Sequence, residues 1–130
     1  MEEKILIIDR EPDIQRAVGT ILTRKGFLHK SAGNFQEGLD LIRSEHFDLI
    51  IMEIRISMMN GFDFLADVKK LSRHIEIIVL TGSVSIGNAI QALRHNGAFD
   101  FLTKPLEKED QLINSVEKAI EKQKLNRITE

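Results

Sequence analysis

The sequence predicts an α/β fold built around a parallel sheet, and three observations carry that prediction. Apolar runs of four to six residues alternate with longer segments of helical periodicity, the pattern of repeated βα units. Runs such as Leu49-Ile50-Ile51-Met52 are apolar throughout, as expected of strands covered on both faces. A chain of 130 residues with 42% hydrophobic content is enough for one full core, and a second folded domain is not expected.

Five strand and helix pairs fit. The strands are expected at residues 5–8, 28–31, 48–52, 76–80 and 99–102. The third and fourth are the most continuously apolar and should be central. In the first helix, Ile14, Ala17, Val18, Ile21 and Leu22 recur at the spacing of a buried stripe, and Gly26 follows as a C-terminal cap. The second helix opens with Asn34 followed three residues later by Glu37, a capping-box-like start, and buries Leu39 and Ile42. A third spans about 61–71, with Phe64, Leu65 and Val68 inward. The fourth spans about 85–96, using Ile86, Ala89, Ile90 and Leu93, and ends at Gly97. The fifth begins after Pro105 and carries Leu112, Ile113, Val116 and Ile120. The domain is therefore placed at residues 1–120. Residues 121–130 are polar yet compatible with helix, and read either as a frayed end or as the start of a linker.

Composition excludes several functions. Eighteen basic and twenty acidic residues leave a net charge of −2 and a pI near 6.1, with no basic run to follow a phosphate backbone, so nucleic-acid binding by this domain alone is not expected. Without cysteine there is no disulfide or thiolate chemistry. The histidines His29, His46, His74 and His95 lack ligand spacing, and Met52, Met58 and Met59 read as packing. No apolar run is long enough to span a membrane, and the acidic start Met1-Glu2-Glu3-Lys4 is unlike a signal peptide, so a cytoplasmic location is expected.

In an open parallel sheet, function gathers at the carboxyl ends of the strands. Those positions hold Asp9-Arg10-Glu11, Glu53, Thr81-Gly82 and Lys104-Pro105. With Ile5-Leu6-Ile7-Ile8 before the first group, Asp48 to Gly61 around Glu53, Val79-Leu80 before Thr81 and Gly97 to Phe101 ahead of Lys104, the chain resembles the receiver domain of bacterial two-component response regulators. The resemblance covers roughly residues 4–120. It implies a CheY-like, flavodoxin-like (βα)5 fold, with strand order 2-1-3-4-5 and helices on both faces. It also implies a phosphoacceptor at position 53, metal-binding acids after the first strand, switch residues at Thr81 and Phe101, and a phosphate-pairing lysine at Lys104.

The departures from that pattern bear on mechanism. Glu53 stands where the family has its acceptor aspartate, Arg10 where it has a second acid, and Ser57 where a proline is common; Phe101 lacks a hydroxyl. The family's three acids and one base become two acids, Asp9 and Glu53, and two bases, Arg10 and Lys104. The family's metal ligands map to Arg10, Glu53 and the Arg55 carbonyl, so Mg²⁺ binding is expected to be weak or absent. The extra methylene of Glu53 displaces its carboxylate by about 1.5 Å, a shift that can cost ~10²-fold in rate. Arg10 is expected to take the metal's place and pair with Glu53 or Asp9.

The expectation is a degenerate receiver, a regulatory protein-interaction module and not an enzyme, whose output is independent of aspartyl phosphorylation. It would act on a protein partner or a covalently linked output domain through the face of the fourth helix, fifth strand and fifth helix, and a homodimer stays open. The alternative is a conventional phosphorelay switch with Glu53 as a phosphomimetic or unusual acceptor. A flavin phosphate would be repelled by the acids of Asp9-Arg10-Glu11-Pro12-Asp13, and no Gly-x-Ser-x-Gly nucleophile elbow is present.

Overall fold

The computed structural model describes residues 3–56, 59–82, 87, 91, 93, 97–106 and 108–128. In chain order the elements are β1 (Lys4–Ile8), α1 (Pro12–Arg24), β2 (Leu28–Ala32), α2 (Phe35–Ser44), β3 (Leu49–Met52), β4 (Arg55–Ile56), β5 (Met59–Asn60), α3 (Gly61–Leu71), β6 (Glu76–Thr81), β7 (Asp100–Thr103) and α4 (Glu109–Ile128). Five strands form one parallel sheet in the order β2-β1-β3-β6-β7, which is the expected 2-1-3-4-5 arrangement. Of the fourth expected helix, at about 85–96, Ile86, Ala89 and Ile90 lie outside the described residues, while Leu93 is exposed instead of buried.

Side chains of one strand alternate between two cores. Leu6, Ile8, Ile50, Met52, Ile77 and Val79 pack against α2 and α3. Ile5, Ile7, Leu49, Ile51, Ile78 and Leu80 pack against α1 and α4. An apolar run is therefore needed in each interior strand because both of its faces are covered. Phe35 of α2 and Phe64 of α3 stack with ring centroids 4.9 Å apart, closing the first core between the two helices.

Local signals set the helix ends. The Asn34 side chain accepts the Glu37 amide proton at 2.7 Å, while the Glu37 carboxylate reaches back to the Gly33 amide at 3.1 Å, one residue before the usual capping-box donor. Gly26 has φ +83, the left-handed conformation that ends α1. Leu39 and Ile42 are only partly buried, and α2 relies on Phe35 and Gly38 for its innermost contacts. Ala17 of the predicted stripe is exposed; its neighbours Val18, Gly19, Ile21 and Leu22 form the buried face of α1.

The sequence reading did not anticipate the short antiparallel pair β4 and β5, which folds the loop after β3 back on itself. Gly61 closes it. Its amide donates to the Ile54 carbonyl at 2.9 Å, and a Cβ there would sit 2.6 Å from that oxygen, so only glycine permits the approach. Ser57 and Met58 lie outside the described residues.

Candidate functional site

The parallel register delivers the site. Ile8 pairs with Met52, so Asp9 and Glu53 are the first residues beyond two adjacent strands. The Glu53 amide still donates to the Ile8 carbonyl at 3.0 Å, and the Asp9 amide to that of Ala32 at 3.0 Å, which fixes both backbones at the sheet edge. Thr81 closes β6, and the Lys104 amide donates to its carbonyl at 2.9 Å, directly after β7. The Lys104-Pro105 bond is cis. Asp9, Glu53 and Lys104, separated by up to 95 positions in the chain, thus share one cleft of about 230 Å³, lined also by Arg10, Glu11, Arg55 and Gly82, with Thr81 buried beside it.

The Lys104 ammonium is the centre of this cleft. Its Nζ lies 2.7 Å from Asp9 Oδ2, 3.1 Å from Glu53 Oε1 and 3.5 Å from Glu11 Oε2. Asp9, Glu53 and the lysine side chain are all largely removed from solvent, so the low local dielectric strengthens these pairs. Burial pulls the ammonium down, but hydrogen bonds to Asp9 and Glu53 and the charges of both acids outweigh it and raise the Lys104 pKa above its ordinary value.

Glu53 is correspondingly saturated. Oε1 accepts from Lys104 Nζ and from the Gly82 amide at 3.3 Å, and Oε2 accepts from the Arg55 amide at 3.3 Å. The buried Thr81 hydroxyl also donates to this carboxylate. Burial pushes the Glu53 carboxyl up; the Thr81 and Lys104 hydrogen bonds, the lysine charge and the Arg55 amide together hold it below its ordinary value.

The expected Arg10 ion pair is not formed. Arg10 is exposed, and among the described residues it pairs with neither Asp9 nor Glu53. The physical reason is charge compensation already in place: the Lys104 ammonium bridges Asp9 Oδ2 and Glu53 Oε1, and the Glu11 and Arg55 amides donate to Asp9 Oδ1 and Glu53 Oε2, so both acids are neutralised without the guanidinium. Arg10 stays at the rim of the cleft. Phe101 is partly buried against the α2 and α3 side of the sheet and away from the acids, so the structure brings Asp9, Glu11, Glu53, Thr81 and Lys104 together but leaves Phe101 on β7.

Sequence reasoning missed two donors. The amides of Gly82 and Arg55 both reach Glu53, and main-chain donors leave no signature in residue type. Gln15, whose Nε2 donates to the Asp9 carbonyl at 2.5 Å, was equally silent. Of the four histidines, His29 meets Thr23 Oγ1 at 3.0 Å and His46 meets Asp48 Oδ1 at 3.0 Å, while His95 lies outside the described residues.

An acid after the first strand, an acid after the central strand, a buried hydroxyl and a lysine, converging at one end of a doubly wound parallel sheet, define a receiver-type signalling domain. The response regulator receiver domain family matches residues 5–117, and the chain belongs to that family. It is similar to the transcriptional regulatory protein GlrR of Escherichia coli (strain K12), with 33% identity over 117 residues that cover 90% of this chain and 26% of GlrR. The chain thus spans about a quarter of the length of the curated relatives it matches. Among solved structures, a response regulator receiver domain protein from Clostridium thermocellum is 32% identical, with a TM-score of 0.86 and coverage of 95% of this chain and 98% of that one. The beryllofluoride-activated NtrC4 receiver domain dimer is 26% identical, with a TM-score of 0.86 and coverage of 92% and 98%. Among the described residues no helix is long and apolar enough to cross a membrane.

Proposed function

We propose that this receiver is a regulatory protein-interaction module in cytoplasmic two-component signalling whose output does not depend on aspartyl phosphorylation. The observation that carries the reading is the state of Glu53. Its oxygens already accept from Lys104, Gly82, Arg55 and Thr81, so the groups that would steady a transferred phosphoryl group hold the side chain itself.

The residues of the cleft do not fit the family's Mg²⁺. A hard divalent ion needs oxygen ligands with excess negative charge. Here the two buried acids share one ammonium, the third acid, Glu11, also leans on it, and position 10 carries a cation. Phosphoryl transfer relies on charge neutralisation and in-line placement, and Glu53 supports neither.

The Thr81 contact favours one form of this reading. By bridging Thr81 and Lys104, Glu53 makes the contacts a phosphoryl group would make, though with one negative charge in place of about −1.5 to −2. The surface around β7 and α4 would then be permanently set. A partner or a linked output domain would read that surface. The relatives named as transcriptional regulators are several times longer than this chain, and the NtrC4 receiver dimer is a precedent for self-association through such a domain.

The test is incubation with Mg²⁺ and acetyl phosphate, followed by intact mass, on the unaltered chain, Glu53→Asp, Arg10→Asp and the double variant. Only the double variant should gain a phosphoryl adduct. An adduct on the unaltered chain overturns the proposal.

A further inference from the structure

At the end of the sheet opposite Glu53, two carboxylates enter the interior. Asp48 immediately precedes β3, and Glu76 opens β6; the two are neighbours, with the Glu76 amide 3.4 Å from the Asp48 carbonyl. Asp48 is 8% exposed and Glu76 only 1%. Carboxylates at that depth require donors, because an unpaired buried charge is strongly destabilising.

Two of the donors come from the polar segment after Ile120. Gln123, itself 1% exposed, donates from Nε2 to Asp48 Oδ1 at 3.4 Å. Lys122 Nζ lies 3.4 Å from Glu76 Oε2 and 5.7 Å from the centre of the Phe99 ring. Lys124 Nζ lies 2.5 Å from Glu3 Oε1, just ahead of β1. The remaining partners are local: the Lys4 amide and His46 on Asp48, and Lys69 on Glu76 at 4.0 Å. α4 continues without a break through this segment to Ile128.

We infer that residues 121–124 are an integral part of the domain, and that the Asp48–Gln123 and Glu76–Lys122 contacts form a positioning site that fixes the direction in which the chain leaves it. The segment is neither a frayed end nor a flexible linker. A segment joined after α4 is held in one orientation by a helix anchored at two buried acids at the entrances of β3 and β6, the strands that lead to Glu53 and Thr81. The family match ends at residue 117, so Lys122 and Gln123 lie beyond it. These contacts do not depend on whether Glu53 is ever phosphorylated.

Amide hydrogen exchange on the full chain, read residue by residue, tests it. The amides of residues 121–126 should exchange about 100-fold more slowly than in an unstructured chain. Gln123→Ala should remove about 10-fold of that protection in this segment while leaving β1 and β3 unchanged. Asp48→Ala should lower protection in this segment as well, and also release the Lys4 amide of β1, whereas Asp48→Asn, which keeps an acceptor oxygen, should restore it in this segment. If Asp48→Ala does not fold, Gln123→Ala decides. Unprotected amides at 121–126 in the unaltered chain, or equal protection in Gln123→Ala, overturn the inference.

Discussion

Lys104 is the residue on which the cleft depends most. It is the one ammonium shared by Asp9 and Glu53, two acids that lie almost entirely out of water. Removing one partner of a buried pair leaves the other uncompensated, at a cost of about 3 kcal/mol. Lys104→Met should lower the urea unfolding free energy by about that amount, and Lys104→Met combined with Glu53→Gln should recover part of it. The same pairs set the pH response. Glu53 has a folded pKa below its ordinary value of 4.5, so its contribution is fully present above 4.5 and is lost as pH falls through the lower folded value. Lys104 has a folded pKa above its ordinary 10.5, so its contribution is present below 10.5 and is lost as pH rises through the higher folded value. Stability measured from pH 6 down to pH 2 should therefore fall less steeply in Glu53→Gln than in the unaltered chain. Identical slopes would show that Glu53 is not held as described.

At the scale of elements, two short features govern how the helices meet the sheet. Asn34 caps α2 through the Glu37 amide, and Asn34→Ala should cost about 1 kcal/mol in denaturant unfolding. Gly61 starts α3 against the Ile54 backbone, where a methyl group would lie 2.6 Å from the carbonyl oxygen. Gly61→Ala should cost about 1–3 kcal/mol and disturb the β4 and β5 pair more than the five-stranded sheet, which amide chemical shifts would report. The first feature was readable from the spacing of Asn34 and Glu37, because a cap is a local hydrogen bond between residues three apart. The second was not, because it depends on where the Ile54 backbone passes. Ala17 shows the same limit: helical periodicity placed it on the apolar stripe, but α1 packs with Val18, Gly19, Ile21 and Leu22 inward, leaving Ala17 at the solvent edge.

At the scale of the whole molecule, the sheet separates two polar regions, one at each end of its strands. The cleft around Glu53 gathers side chains from four strand ends, and the Asp48 and Glu76 contacts tie α4 to the far end. Metal addition reads the first without disturbing the second. At 10 mM Mg²⁺ the unaltered chain should gain little stability, whereas Arg10→Asp with Glu53→Asp, if it binds with a dissociation constant near 1 mM, should gain about 1.4 kcal/mol. A thermal melt with and without Mg²⁺ measures the difference. An equal gain in both proteins would mean that the two substituted positions do not govern metal binding.

The sequence by itself determined the five strands of the parallel sheet, the helices after the first, second, third and fifth of them, and the set of residues at the strand ends. Those properties follow from apolar runs, helical periods and residues just past them, all local in the chain. Tertiary structure alone decided which partners those residues take. From Arg10 and Glu53 at adjacent strand ends, an arginine pair was the natural expectation; in the fold, Lys104 reaches both acids, and amides from Gly82 and Arg55 add further donors to Glu53. Likewise, residues 121–130 read in sequence either as a frayed end or as the start of a linker, but Gln123 is buried against Asp48 and Lys122 meets Glu76, contacts that only the packed sheet and helix bring together. A charge selects its partner by distance and by the acceptors left open, and neither exists before the chain has folded.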